Sequence, residues 1–330
     1  MQSFIHEQIK DLVAFYHIIP QNERILLAIS GGQDSLCLIK ILKDLKILCF
    51  SSFRIVHFDH QWRNDSEENS YLVVYLSYIW EISMASYKLP INITNETISR
   101  KWRYQILYFL AQKYNYSILI TAHTYTDKIE TCLLNLFRGC SLEGISPLSY
   151  LTQLTNFTYL NRPLLFSHRE HIAWFCKKFF LPVWSDYTNY NYHLKRNRLR
   201  YELLPYIRQY FNVQFDKQLN YTIHFTYRDS EYLQYIALYF YYKIRHEKFA
   251  ALNKKILLLL HCSIQYRIFK IFLKQNFSIL SNRSQIHELY LLIKLTKLNY
   301  ITTTINLDFN TVIFYNCCQW IYCCWYNMKN

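Results

Sequence analysis

Short apolar runs and longer periodic segments alternate between Arg24 and Phe137. The short runs, which are typical of buried strands, lie at residues 24–29, 53–58, 87–93 and 117–122. The longer segments carry apolar residues at helical spacing and lie at 35–45, 65–84, 100–114 and 127–137. Asp65, with Glu68 three residues later, is a candidate cap for the second of these helices. Strands that alternate with helices predict a parallel sheet covered by helices, which is the α/β class.

The pattern changes after Pro205. Long stretches at 215–277 and 285–297 are rich in Tyr, Phe and Leu and predict helices, whereas alternating segments near 300–307, 311–315 and 320–325 predict short strands. A chain of 330 residues is long enough for two hydrophobic cores. We therefore predict an α/β domain over residues 1–205 and a mainly helical region, ending in short strands, over residues 206–330.

The charge of the chain predicts a polyanionic partner. Lys and Arg number 37 and Asp and Glu number 23, so the formal net charge is +14. Nucleic acid is the leading candidate, although an A+T-rich genome would also enrich lysine diffusely. The 10 cysteines include no C-x-x-C pair, so we expect reduced thiols and not a zinc finger or redox pair. The chain has no run of about 18 apolar residues and no targeting pattern at its start, so we expect no membrane partner.

One segment, between the first predicted strand and the next helix, predicts a phosphate site. Two of the chain's 4 glycines stand side by side there. Without Cβ atoms the backbone can fold closely around an anion, at which the free N–H groups of the helix point. The residues of this loop are Ser30, Gly31, Gly32, Gln33, Asp34 and Ser35. An ordinary glycine turn, with Asp34 and Ser35 capping the helix, would have the same sequence.

The composition of this loop also bears on its chemistry. It lacks the lysine of the G-x-x-x-x-G-K-[ST] loop, so γ-phosphate transfer of the usual kind is disfavoured. Asp34 would repel phosphates unless a divalent cation lay between them, so we predict that Asp34 binds Mg²⁺.

Titratable residues also follow two other predicted strands. Asp59 and His60 follow the second strand, where we predict contact with nucleotide or metal. His123 ends the fourth strand, with Asp127 and Glu130 in the first turn of the next helix. Because open α/β sheets bind ligands at the carboxyl ends of their strands, these side chains can converge at one sheet edge. Loop residues and helix-capping acids without a ligand are the alternative.

Three groups of arginines are candidate substrate contacts. Arg100 and Arg103 are three apart and share a helix face, which could bind a phosphate or carboxylate or be a solvated basic face. Arg138 follows the helix that starts near Asp127. Four cations lie within residues 195–200 beside several tyrosines and predict RNA-backbone contacts, although they could instead pair with acids such as Asp186. The predicted contacts in that group are Arg196, Arg198 and Arg200.

Taken together, these motifs resemble the lysidine synthase branch of the N-type ATP pyrophosphatases, the PP-loop superfamily. Residues 30–35 resemble the PP-loop, and residues 57–60, His-Phe-Asp-His, resemble the family's second strand end. Residues 121–144 are similar to T-A-H-H-x-D-D-x-x-E-T…R-G…G, and residues 162–205 to R-P-L-L…W…D-x-[ST]-N…R-N-x-[IL]-R…L-P. Arg100, Arg103 and Tyr104 match A-R-x-x-R-Y. The resemblance spans residues 24 to about 205, and residues 206–330 show no motif that we can assign.

Two positions depart from the family pattern. Thr124 stands where the family usually has a second His, and Thr126 where it has the first of two Asp. We therefore predict no catalytic role for either residue.

The resemblance implies a PP-loop ATPase fold (adenine nucleotide alpha hydrolase-like) and a specific ligation. In this reaction ATP adenylates the C2 oxygen of the wobble cytidine in a tRNA(Ile) that has a CAU anticodon. Free L-lysine then displaces AMP through its ε-amine, which gives lysidine and changes codon specificity from AUG to AUA. ATP and Mg²⁺ are the implied cofactors, and residues 206–330 would be an accessory tRNA-binding region. A homodimer is one candidate assembly.

The residue roles follow from that reaction. We predict catalytic roles for His123 and Asp127, because the ammonium of lysine needs a base and an anionic site. We predict a catalytic role for Asp34 too, because it would hold the pyrophosphate end of ATP with Mg²⁺. Substrate binding is predicted for Arg100, Arg103, Glu130, Arg138, Arg196, Arg198 and Arg200.

Three other functions are weighed against this one. A tRNA thiolase with the same loop commonly uses a C-x-x-C pair, which this chain lacks. A small-molecule ligase would not need the basic cluster, and an inactive RNA-binding relative would explain Thr124 and Thr126. The skewed composition suggests that the protein is encoded in a plastid and located in the plastid (chloroplast) stroma. The alternative is a protein in the cytoplasm of a bacterium with an A+T-rich genome.

Overall fold

The computed structural model describes residues 3–16, 23–49, 52–59, 61, 65–90, 96–146, 148–155, 157–184, 194–279, 283–295, 302–307, 310–317 and 319–325. The chain divides into two units, Met1–Ile223 and His224–Asn330, and each is described by itself. Among the described residues, no helix has both the length and the apolar character needed to cross a membrane.

A six-stranded sheet forms the centre of the first unit. Its strands are β1 Arg24–Ile29, β2 Ser52–Asp59, β3 Met84–Lys88, β4 Ile118–Thr121, β5 Leu151–Gln153 and β6 Tyr159–Asn161. Their order is β3-β2-β1-β4-β6-β5, and every pairing is parallel except β5 with β6. The predicted α/β class with a mostly parallel sheet is confirmed.

Helices cover both faces of this sheet. The described helices of the first unit are α1 Phe4–Tyr16, α2 Gln33–Cys49, α3 Ser66–Ile79, α4 Glu96–Lys113, α5 Tyr125–Phe137, α6 Leu142–Ile145, α7 Arg169–Lys178, α8 Lys195–Arg198 and α9 Leu204–Tyr210. Of these, α1, α2, α3 and α7 pack on one face of the sheet and α4 packs on the other. A 3₁₀ turn, Pro163–Phe166, precedes α7, and a π-helical segment, Leu199–Leu203, joins α8 to α9.

Alternating residues of β1 face two different cores. Ile25 and Leu27 pack with α1, α2 and α7, whereas Leu26 packs with Leu107 and Leu110 of α4. A strand covered on both faces is apolar at nearly every position, which is the pattern that the sequence shows at 24–29.

The order of the strands creates a switch point beside β1. From β1 the chain builds β2 and β3 on one side, and it then returns to β4 on the other side. The loops that leave the carboxyl ends of β1 and β4 therefore diverge, and such a divergence opens a ligand-binding crevice.

The helix expected at 65–84 ends earlier than the pattern predicts. α3 ends at Ile79, the backbone reverses at Glu81 with φ of 55°, and Met84 already belongs to β3. Asp65 occupies the cap position, but its side chain does not cap the helix. Its carboxylate instead accepts a hydrogen bond of 3.1 Å from Trp184 Nε1. The strand expected at 87–93 is shifted to Met84–Lys88, and residues 91–93 lie outside the described part.

Four helices and a four-stranded antiparallel sheet make up most of the second unit's described part. The elements are α10 Phe215–Ile244, which begins in the first unit, β7 Ala251–Asn253, α11 Lys254–Leu259, α12 Cys262–Phe277, α13 Arg283–Leu295, β8 Thr302–Leu307, β9 Asn310–Cys317 and β10 Trp320–Trp325. The continuous helical stretch expected at 215–277 was wrong, because β7 interrupts it and pairs with β10. The sheet order is β7-β10-β9-β8, which confirms the predicted short strands.

Candidate functional site

The loop between β1 and α2 makes a tight bend that requires glycine. Gly31 has φ of +81°, and a Cβ added there would lie 2.2 Å from Oδ1 of Asn69 on α3. Asn69 also donates its side-chain amide to the Ser30 carbonyl at 3.0 Å. Inside the loop, the Ser35 hydroxyl donates to the Gly32 carbonyl at 2.7 Å. Asn69 therefore holds the bend from outside, a contact that the sequence pattern did not indicate.

Asp34 lies in the first turn of α2 with an incompletely satisfied carboxylate. Its Oδ2 atom is 3.6 Å from Nη2 of Arg169, while its Oδ1 atom is buried and has no hydrogen-bond partner. Burial raises the pKa of Asp34 to about 6, against the opposing effect of Arg169. A carboxylate oxygen is a ligand that Mg²⁺ prefers. The unsatisfied oxygen therefore fits the predicted cation, which would also favour the ionised carboxylate.

A capping box starts α5 and fixes the residues that follow β4. Thr124 is the N-cap, and its backbone N–H donates to Asp127 Oδ2 at 2.8 Å while Asp127 N donates to its hydroxyl at 3.4 Å. His123 Nδ1 lies 2.9 Å from the Thr121 hydroxyl. Desolvation lowers the pKa of His123 to about 3, so the imidazole is neutral at physiological pH. Thr124, which departs from the family pattern, thus has a structural role.

Two acids of α5 and two arginines form an inward-facing ionic cluster. Arg196 donates to Asp127 Oδ1 and Glu130 Oε2, both at 2.8 Å. Arg200 donates from Nε to Glu130 Oε1 at 2.5 Å and from Nη2 to Oε2 at 2.8 Å. The Glu130 side chain is 0% exposed. Burial by itself would raise the pKa of Asp127, but Arg196 and the capping N–H lower it. We name Asp127, Glu130, Arg196 and Arg200 the ionic cluster.

The predicted basic segment therefore does not present one cationic face. Arg196 and Arg200 point at the acids of α5, whereas Arg198 is 64% exposed and pairs with Glu202 at 3.3 Å. Asp186, the acid named as an alternative partner, lies outside the described residues. Arg138 is exposed at the far end of α5, about 16 Å along the helix from Asp127.

A cavity of about 200 Å³ brings several predicted residues together at the switch point. It lies between the carboxyl ends of β1 and β4 and the first turns of α4. Its polar lining comes from Ser30, Ser35, Arg100, Arg103, Tyr104, Thr121, His123 and Arg196. Four segments that lie far apart in the sequence thus meet around one cavity.

Asp59 ends β2 as predicted, but it does not line this cavity. Its Oδ1 atom accepts a hydrogen bond of 2.9 Å from the backbone N–H of Gln61, and its Oδ2 atom is buried without a hydrogen-bond partner. His60 lies outside the described residues. Contact of Asp59 and His60 with nucleotide stays a prediction.

A second, larger cavity of about 1200 Å³ opens on the other side of the loop. Its polar lining includes Ser30, Gly32, Asp34, Thr126, His168, Arg169, Arg200 and Lys217. Arg169 and His168 were missed by the sequence reasoning. No spacing rule pointed to them, because their approach to the loop depends on how α7 packs against α2.

A family profile and known proteins match this chain in sequence. The profile of the PP-loop domain matches residues 1–207. The tRNA(Ile)-lysidine synthase, chloroplastic, of Pyropia yezoensis is 41% identical over 93% of this chain and 92% of its own length. The tRNA(Ile)-lysidine synthase of Nostoc sp. is 40% identical over 71% of this chain and 68% of its own length.

A solved structure shares the fold at lower identity. The U34-tRNA thiolase NcsA of Methanococcus maripaludis, with its [4Fe-4S] cluster, superposes with a TM-score of 0.57 at 13% identity, over 69% of this chain and 79% of its own. The fold and the loop together define a PP-loop nucleotide-binding protein. Within that class, the chain belongs to the tRNA(Ile)-lysidine synthase family.

Proposed function

We propose that this protein ligates free L-lysine to C2 of the wobble cytidine of tRNA(Ile) with a CAU anticodon. ATP activates the C2 oxygen, the ε-amine of lysine replaces that oxygen, and AMP and pyrophosphate leave. The modified base reads AUA in place of AUG. One observation carries the proposal: the lysine-free Gly31 bend and His123 face the same cavity at the switch point.

The loop is suited to hold the phosphates of ATP. Gly31 has a positive φ, a conformation that favours glycine. Ser30 lines both cavities beside the bend, and Gly32 lines the larger one. The first N–H groups of α2 follow directly and favour an anion. Asp34, with its unsatisfied oxygen, is the proposed Mg²⁺ ligand, and the cation would screen the phosphates from its charge.

The ionic cluster is suited to a zwitterionic amino acid. Asp127 supplies negative charge for an ammonium group, Arg196 and Arg200 supply positive charge for a carboxylate, and the buried Glu130 holds both arginines in place. A free amino acid carries both charges, so a cluster containing both can orient it. Arg196 also lines the small cavity with His123. The amino acid would therefore bind beside the cytosine ring that reacts.

His123 and two arginines of α4 would contact the reacting groups at the wobble cytosine. Because its imidazole is neutral, His123 can accept a hydrogen bond from the incoming amine and orient it. Arg100 and Arg103 bring positive charge to the same cavity, where negative charge develops on the activated oxygen and the phosphate. Each of these roles is proposed from position and charge.

Replacing Gly31 with alanine is expected to abolish ATP binding. The new Cβ would meet the Asn69 side chain at 2.2 Å and would be strained at φ of +81°. Gly139→Ala is the matched control, since Gly139 has φ of +76° but no atom within 4 Å of an added Cβ. Binding of ATP to each purified variant, measured by calorimetry, should separate the two. Equal affinity of G31A and wild type would contradict the assignment.

The second unit offers a face for RNA. Along α10, a stripe of residues at alternating spacings of three and four shares one helix face. Its members are Phe225, Arg228, Tyr232, Tyr235, Tyr239 and Tyr242, and its aromatic members are 46–65% exposed. Lys243 lies 4.4 Å from the centre of the Tyr239 ring, and Arg245 lies 4.7 Å from that of Tyr242. Aromatic rings beside cations bind unpaired bases and phosphates, so we assign the stripe to tRNA.

A double substitution tests the stripe. Tyr232→Ala with Tyr235→Ala is expected to weaken tRNA binding at least about fivefold, because each stacked base contributes roughly 1–3 kcal/mol. Tyr71→Ala with Tyr75→Ala on α3 removes two tyrosines that are 73% and 61% exposed and serves as the control. Filter binding with labelled tRNA measures both. An equal loss in the two double variants, or none, would refute the role of the stripe.

Lysine incorporation tests the proposed function as a whole. The protein is incubated with a tRNA(Ile) transcript bearing CAU, labelled lysine and ATP, and the label in the RNA is counted. We expect incorporation that requires ATP and is absent when the wobble cytidine is replaced by uridine. Incorporation that does not need the wobble cytidine would overturn the substrate assignment.

The names of the relatives bear on location. The relative from Pyropia yezoensis is named chloroplastic, and that from Nostoc sp. carries no organelle in its name. The plastid stroma is the location we propose, with the bacterial cytoplasm as the alternative.

A further inference from the structure

The large cavity contains a cation that the proposed reaction has not used. Arg169 is the first residue of α7, and its guanidinium faces Asp34 across the edge of the loop at 3.6 Å. Both side chains line the cavity with Ser30 and Gly32. The position is notable because the loop itself carries no lysine for phosphate.

Packing fixes the start of α7 relative to the loop. Tyr125 donates its backbone N–H to the Ser167 carbonyl at 3.3 Å, and the His168 ring lies 4.3 Å from the Tyr125 ring. On the next turns of α7, Cys176 is buried, and its thiol lies 3.5 Å from the Gln33 carbonyl. The backbone of Arg169 is therefore positioned by α5 and α2 together, while its side chain remains 35% exposed toward the cavity.

The contact between Arg169 and Asp34 is loose. Charge-assisted hydrogen bonds between guanidinium and carboxylate are typically about 2.7–2.9 Å, whereas this pair is separated by 3.6 Å. The other carboxylate oxygen, Asp34 Oδ1, has no hydrogen-bond partner. A guanidinium held in this way can leave the carboxylate at little cost when a better anion arrives.

We propose that Arg169 binds the β- and γ-phosphates of ATP and replaces the loop lysine that this chain lacks. In the free protein it pairs with Asp34, and in the bound state it contacts phosphate while Asp34 faces the divalent cation. The planar fork of arginine matches two phosphate oxygens at once. This inference rests on the proposed use of ATP and adds to it a residue outside the loop.

Nucleotide binding to the full-length chain tests the inference. The affinities of ATP and AMP, each with Mg²⁺, are measured by calorimetry for wild type, Arg169→Ala and Arg169→Lys. R169A is expected to weaken ATP binding roughly 10- to 100-fold, because a hydrogen bond to a charged group is lost. AMP, which lacks the β- and γ-phosphates, should bind R169A and wild type within about twofold, since the lost contact is specific to those groups. R169K should recover part of the ATP affinity, because it keeps the charge and loses the fork.

The matched control is Lys177→Ala, a change of an exposed cation on the same helix that lines neither cavity. K177A should bind ATP like wild type.

Equal ATP affinity of R169A and wild type would overturn the inference and leave the proposed function standing. An equal loss of ATP and AMP affinity would also overturn it, since that pattern reports a general distortion of the loop. If R169A does not fold, R169K and Arg169→Gln supply the same comparison. Failure of the wild type to bind ATP would refute both proposals.

Discussion

Replacing Asp34 with asparagine should abolish AMP formation and, in metal-free protein, raise thermal stability at neutral and alkaline pH. The activity is lost because the amide cannot supply the anionic ligand that the cation needs. The stability gain arises because the buried carboxylate is costly to ionise, as its pKa of about 6 shows. A residue that costs stability and is required for activity is typical of a binding site.

The sign of this stability effect follows from the pKa. The folded-state pKa of Asp34 is raised from its ordinary value of 3.8 to about 6. The wild type therefore binds more protons when folded and loses stability as the pH rises between those two values. The full difference corresponds to roughly 3 kcal/mol as an upper value. Thermal unfolding of wild type and D34N in chelator, at pH 4 and pH 8, measures it.

At pH 8 the variant should unfold at the higher temperature, and at pH 4 most of the difference should disappear. Asp229→Asn, a change of an exposed acid on α10, should have little effect at either pH. A D34N variant that is less stable than wild type at pH 8 would contradict the assigned environment. Retained AMP formation would refute the role of Asp34 as a metal ligand.

Replacing Glu130 with glutamine should cause the largest loss of stability among the ionic cluster's single changes. Glu130 is fully buried and accepts three hydrogen bonds from Arg196 and Arg200. Without its charge, two guanidinium groups would share Asp127 alone. Breaking a buried pair in this way costs about 3–5 kcal/mol. The thermal midpoint should fall by roughly 6–20 °C.

Glu202→Gln is the matched control for Glu130. Glu202 pairs with Arg198 in a contact whose side chains are 51% and 64% exposed. Such surface pairs contribute at most about 1 kcal/mol, so the midpoint of this variant should move by a few degrees or less. Similar midpoints for the two variants would show that the cluster is not the buried network described above. Lysine incorporation by the Glu130 variant should also be lost, measured at a temperature at which it is folded.

Elements with a strong local signal were predictable from the sequence. The strand at 24–29 matches β1 residue for residue, and the strand at 320–325 matches β10, because alternating or continuous apolar runs report burial directly. The glycine pair identified the bend, since few residues other than glycine adopt a positive φ. The meeting of 30–35 with His123 was also predictable, because parallel strands bring their carboxyl ends to one edge.

Contacts that depend on tertiary packing were not predictable. Arg196 and Glu130 are 66 residues apart in sequence, and their pairing depends on where α8 docks against α5. Spacing alone left the basic segment open between RNA contacts and internal pairs. Asp65 shows the same limit: its role as a cap was predicted from local sequence, but Trp184, 119 residues away, binds its carboxylate. Arg169 and Asn69 were missed for this reason too.

The identity of the nucleotide product distinguishes adenylation of the base from transfer of the γ-phosphate. The protein is incubated with ATP labelled at the α-phosphate, tRNA(Ile) bearing CAU, and lysine, and the labelled products are separated. We expect one labelled AMP for each lysine joined to RNA, because the loop without lysine would expose the α-phosphate to the cytosine. Labelled ADP as the product, or lysine incorporation without AMP, would contradict it.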